Sequence, residues 1–96
     1  TPWADAVALL VEANVALARR NHSGAMRLLK EAAEALDAVD MRIFAEAARR
    51  RLGELMGGSA GDALIAAADS WMAGQLIRNP ERMARMYVPG PPDRAG

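Results

Sequence analysis

Apolar residues in this chain recur at intervals of three and four, and nowhere do they alternate with polar ones over the length of a strand. A half-buried strand repeats every second residue, so this spacing calls for helices instead. The composition agrees. Alanine is the commonest residue, and hydrophobic residues make up 52% of the chain but aromatic ones only 4%. Alanine is the strongest helix former and lets helices approach closely. The expected fold class is all-α, and 96 residues are enough for one domain.

Helix-breaking residues divide the pattern. A first helix is expected from Pro2 to Arg20, with Thr1 as its cap, Pro2 at the first helical position and Asp5 in the first turn. It carries Val7, Leu10, Val11 and Leu17, and on the neighbouring side Leu9, Ala13 and Ala16. A helix apolar over so much of its circumference needs partners on two sides. "RRNHSGA" interrupts it, and Asn21 or Ser23 caps a second helix that runs to Val39 with Met26, Leu29, Ala33, Leu36 and Val39 as its stripe. Arg27–Glu31 and Lys30–Glu34 are spaced to pair across one turn. Asp40 is expected to cap a third helix ending at Met56, with Ile43, Phe44, Ala47, Ala48, Leu52 and Leu55 facing inward. Gly57 in "MGGSAG" stops it, and Ser59 caps a fourth helix, Ala60 to Ile77, with Leu64, Ala67, Ala68, Trp71, Met72 and Leu76 inward. In "IRNPERMARMYVPG", Asn79 reads as a cap and Pro80 as the start of a short fifth helix. Its Met83, Met86, Tyr87 and Val88 are expected to cover the third and fourth helices. "VPGPPDRAG" reads as a disordered tail. The expected organisation is one helical domain over 1–88, comprising hairpins at 1–39 and 40–78 and a capping helix at 79–88, followed by a tail at 89–96.

Several function classes are disfavoured. Twelve basic and twelve acidic residues cancel, which argues against general nucleic-acid binding and against attraction to an acidic membrane surface. No run of about 18 apolar residues exists to span a bilayer. The absence of cysteine excludes disulfides and thiolate chemistry and fits a cytoplasmic setting. The start at "TPWADA", without Met, suggests a piece of something longer. His22 is the only histidine, so a zinc site is not expected. Glu31, Glu34 and Asp37 have basic neighbours and read as a solvated face rather than an acid–base pair. "GGSAGDA" lacks the lysine and strand of a phosphate loop. No nucleophile stands with a base. The chain is expected to be non-catalytic, with no cofactor and no metal.

Two similar helix pairs invite a repeat test. A shift of about 34 places Ala6 on Asp40, Leu9 on Ile43, Leu10 on Phe44 and Ala13 on Ala47. A shift of roughly 38 places Ala25 on Ala63 and Met26 on Leu64. With Leu9, Ala13 and Ala16, then Ala25, Leu29 and Ala32 in "HSGAMRLLKEAAEAL", the first hairpin resembles a tetratricopeptide repeat. The usual large aromatic, the Gly and the closing Pro of that motif are absent, and Ala13 stands at the Gly position. From Ala45 to Gly90, "AARRRLGELMGG" and the segment leading to "NPERMARMYVPG" resemble the C-terminal helical-repeat region of bacterial eukaryotic-like serine/threonine protein kinases and regulators. The resemblance implies an α-solenoid fragment in a bacterial signalling protein, acting in protein–protein interaction or scaffolding. No kinase motif occurs in this chain.

Tetratricopeptide stacks line a concave groove with the first helix of each hairpin. In that frame Arg19 and Arg20 and the run Arg49, Arg50 and Arg51 end two such helices. They form either one basic patch for an acidic peptide or C-terminal carboxylate, or solvated arginines paired with Glu46 and Glu54. Asn14 matches the asparagine of a carboxylate clamp, but Leu10 replaces its lysine, which argues against chaperone-tail binding. The second apolar side of the first helix, with Trp3, Val7, Leu10 and Val11, is expected to self-associate, as an isologous homodimer. The competing expectation is a small-molecule sensor with a pocket between the hairpins near Trp71 and Met72.

Overall fold

The computed structural model describes residues 1–82. The fold is all-α: α1 (Pro2–Ala18), α2 (His22–Ala38), α3 (Arg42–Met56) and α4 (Gly58–Arg78), with residues 80–82 again helical. No strand occurs among the described residues. Each helix packs on its neighbours in sequence, α1 on α2, α2 on α3 and α3 on α4. The connections are three residues or fewer, so successive helices run antiparallel. Met83, Met86 and the expected capping helix beyond residue 82 lie outside the described residues, as does the tail.

The first two turns share one design. Arg20 and Asp40 both adopt the left-handed backbone, with φ of 59° and 60°. The Arg20 N–H donates to the Leu17 carbonyl and the Asn21 N–H to the Ala16 carbonyl. Asp40 and Met41 repeat this on Asp37 and Leu36. These paired bonds form a Schellman closure, which satisfies carbonyls orphaned at a helix end. The position normally takes glycine, and neither residue here is one, so the sequence carries no flag for it. Asp40 is accordingly not the cap of α3. That place falls to Met41, whose side chain packs on the core beside the closure. At α2 the choice between Asn21 and Ser23 goes to Asn21, whose Oδ1 accepts from the Gly24 N–H at 3.1 Å. Thr1 sits at the cap of α1, but only its backbone carbonyl is used, by the Asp5 N–H.

The third turn differs. Gly57 alone separates α3 from α4, with φ 67° and ψ −174°, and Gly58 follows at φ 63°. Side-chain-bearing residues avoid this region, so two glycines reverse the chain where a longer loop was expected. Ser59 therefore lies inside α4 and caps nothing. So abrupt a reversal presses the last turn of α3 and the first turn of α4 together. Gly53 and Gly61, both buried, flank the turn symmetrically, and a Cβ on Gly53 would stand 2.6 Å from the Gly61 carbonyl oxygen.

The core is alanine with two leucines. Leu29 and Leu36 on α2 are fully enclosed by Ala6, Ala13, Ala32, Ala33, Ala45 and Ala48. Burying each such leucine contributes about 1.5–3 kcal/mol. Of the stripe expected on α2, Leu29, Ala33 and Leu36 are buried and Met26 and Val39 half-buried, and Ala25 and Ala32 are buried beside them. On α3 the buried face is rotated: Ala45, Glu46, Ala48 and Gly53 are inward, while Phe44 and Ala47 are exposed. On α4 only Gly61 and Ala68 are fully buried, Leu64, Trp71 and Met72 are half-buried, and Ala67 and Leu76 are exposed. The residue-by-residue repeat fails accordingly, because Ala13 is buried where Ala47 is exposed and Ala25 where Ala63 is exposed. Ala45 and Ala48 instead reproduce the spacing of Ala13 and Ala16.

Candidate interaction surface

The arginine run of α3 sits at the junction of three helices, in the middle of α3 rather than at its end. Arg49 reaches back to α2, where it donates to the Asp37 carboxylate, and donates from its other terminal nitrogen to Glu46 at 2.9 Å. Glu46 is buried and also accepts from Arg42 Nε at 2.8 Å. A carboxylate can be this enclosed only because two guanidinium groups meet it. The hydrogen bond to Asp37 holds the Arg49 pKa above its ordinary value, against the opposing effect of burial, and Glu46 adds to the upward shift. Arg50 points the other way, to α4, donating to both carboxylate oxygens of Asp69 at 2.8 and 3.4 Å and to Glu54 at 3.2 Å. That hydrogen bond to Asp69 raises the Arg50 pKa. Arg51 donates to Glu54 at 3.2 Å. Arg42 lays its guanidinium over the Trp71 ring, 5.1 Å from the centroid, so Trp71 joins α4 to this array.

Arg42, Arg49 and Arg50 therefore hold α3 to its neighbours, while Arg51 pairs within α3. Each already has an acidic partner, the arrangement expected of arginines paired with Glu46 and Glu54, with Asp37 and Asp69 added from other helices. Arg19 and Arg20 are different. They are exposed at the first turn and make no ion pair among the described residues. The Asn14 side chain donates to the Leu10 carbonyl of its own helix at 3.0 Å. On α2, Arg27 pairs with Glu31 at 3.1 Å, whereas Lys30 and Glu34 form no ion pair among the described residues.

The apolar surface is clearest on α1. All its fully buried residues are alanines, Ala6, Ala13 and Ala16, with Leu9 and Leu10 half-buried on the core, while three of its larger side chains face outward: Trp3 is 59% exposed, Val11 56% and Val15 43%. With half-buried Val7 these residues recur every fourth position along one side. Leu10, grouped with that side in the sequence, packs instead against the core. Val15 is the member that sequence reading passed over, although its spacing from Val11 continues the series.

Neither hollow near Trp71 and Met72 has the size of a ligand pocket, and the larger recesses among the described residues, about 420 Å³ beside Val15, Arg19 and Arg27 and about 370 Å³ at 78–82, are shallow and open to solvent. The hollow beside Trp71, lined also by Asp40, Arg42, Ile43, Gln75 and Arg82, encloses about 110 Å³. Met72 lines a separate one of about 220 Å³ with Glu46, Ala47, Arg50, Ala68 and Asp69. Small-molecule sites run from about 300 to 1,000 Å³ and bury most of their ligand. Among the described residues no group of three or more His, Cys, Asp or Glu side chains could hold a metal ion, and no helix is long and apolar enough to cross a membrane. No family model, curated protein or solved structure matches this chain.

Proposed function

We propose that this chain is a non-catalytic protein–protein interaction or scaffold module of tetratricopeptide-like build, and that it docks a protein partner on the outer face of α1. The observation that carries this reading is the inversion of α1, which buries alanines and presents Trp3, Val11 and Val15. A contiguous exposed apolar stripe marks a binding face. The burial of Ala13, Ala16, Ala25, Leu29 and Ala32, the small–large–small positions of the repeat motif, supports the tetratricopeptide-like build. By the resemblance of residues 45–90, the module belongs to a bacterial, cytoplasmic signalling protein of the kind that carries a serine/threonine kinase domain. Arg19 and Arg20 offer the unengaged part of a basic contact for an acidic segment, while Arg49 and Arg50 serve the fold. The hollow beside Trp71 is too small to favour a small-molecule sensor.

The test is affinity capture with the unmodified chain, with Val11→Glu and with Arg19→Ala/Arg20→Ala. All three positions are exposed, so the variants keep the fold. A protein that binds the unmodified chain but not Val11→Glu supports docking on α1. Capture that is indifferent to all the substitutions refutes it.

A further inference from the structure

Resting on the interaction-module reading, we propose that the occupant of the α1 face is a second copy of this chain, docked antiparallel along α1 with a two-fold axis at Val11. Ala4, Val7, Val11, Asn14 and Ala18 follow one another at spacings of three and four, the seam of a helix pair. Alanine at both ends of the seam permits close approach. Asn14 brings little polar cost to it, because its amide already donates to the Leu10 carbonyl at 3.0 Å. An axis at Val11 sets Val7 opposite Val15 and Ala4 opposite Ala18 of the second copy.

The direction follows from charge. Asp5, Glu12 and Arg19 lie seven residues apart, on one flank of the seam, and none has an ion-pair partner among the described residues. In an antiparallel two-fold pair each flank meets its own copy reversed. Asp5 then meets Arg19 of the second copy, twice per dimer, and the two helix dipoles oppose. In a parallel pair this flank would meet the opposite one, where Ala6, Leu10 and Leu17 supply no charge. The antiparallel register has one distinctive cost, which is that the two Glu12 side chains approach each other beside the axis. The contact is one helix long, about 25 Å, so it is a small interface with affinity expected near micromolar.

The test is sedimentation equilibrium from about 1 to 200 µM, a range that brackets micromolar affinity. A monomer–dimer equilibrium is expected, weakened at least about tenfold by Val11→Glu, which places two carboxylates on the axis, and strengthened about two- to fivefold by Glu12→Gln, which removes the like-charge contact. The chain has no cysteine, so single cysteines report the geometry cleanly. Val11→Cys should join to itself with a short bis-maleimide, and Ser23→Cys on α2 should not. A monomer throughout the range, a dimer indifferent to Val11→Glu, weakening by Glu12→Gln, or faster joining at Ser23→Cys would each overturn the proposal. If the chain is monomeric yet loses a captured protein on Val11→Glu, the second copy is excluded and the interaction-module reading stands. If neither dimer nor Val11-dependent capture is found, both fall.

Discussion

Replacing Gly53 by alanine sets two known magnitudes against each other. Gly53 lies inside α3, where exchange of glycine for alanine favours the helix by about 0.8–1 kcal/mol. Its new Cβ would stand 2.6 Å from the Gly61 carbonyl oxygen, 2.9 Å from Ile65 Cγ1 and 3.1 Å from Leu64 Cβ, where real Cβ atoms essentially never come within 3.0 Å. The nearest obstacle is backbone, tethered by the one-residue turn at Gly57, so it cannot swing aside. Separating α3 from α4 at this point is an overpacking cost of about 1–3 kcal/mol, and part of the dispersion between the two helices is lost as well. Steric cost outweighs propensity, and a net loss of about 1–2 kcal/mol is expected. In a domain of this size that lowers Tm by roughly 4–15 °C. Gly74 in α4 supplies the control. Among the described residues a Cβ there meets only the far end of the Arg78 side chain, at 3.5 Å, so the same exchange should be stabilising by about 0.5–1 kcal/mol. Thermal and urea unfolding followed by circular dichroism at 222 nm would read both. The reasoning is refuted if Gly53→Ala unfolds at or above the temperature of the unmodified chain.

Two further outcomes use the same assay. Arg20→Gly and Asp40→Gly should each stabilise by up to about 1 kcal/mol, because glycine accepts the left-handed backbone without the Cβ penalty, an effect larger than the entropy it adds to the unfolded chain. Destabilisation by either would contradict the Schellman closures. Arg49→Ala should cost about 1–3 kcal/mol by stripping one guanidinium from buried Glu46 and, among the described residues, the one ion-pair partner from Asp37, whereas Arg50→Ala, on an exposed pair, should cost distinctly less. Equal losses would show that the burial of Glu46 carries no energetic weight.

The helices, their number and their order could be read from the chain because they depend on local spacing and on Pro and Gly. The stripe of α2 was equally legible, since that helix packs on both neighbours along one apolar face. The turns were not. Arg20 and Asp40 occupy a glycine's place, and only the hydrogen bonds to Ala16, Leu17, Leu36 and Asp37 reveal why. The rotation of α3 was hidden for a related reason. Periodicity ranks Phe44 above Glu46, but a carboxylate met by Arg42 and Arg49 can be buried, and pairing is a property of space rather than of sequence. The basic run of α3 shows the same divide, since "RRR" cannot disclose that Asp37 and Asp69 reach it from other helices. The bare side of α1 was foreseeable from its two apolar faces, yet which face the fold uses was a matter of fit. Leu29 and Leu36 fill the centre, the fully buried places of α1 beside them are taken by alanine with Leu9 and Leu10 at their edge, and the larger Trp3, Val11 and Val15 are left outside.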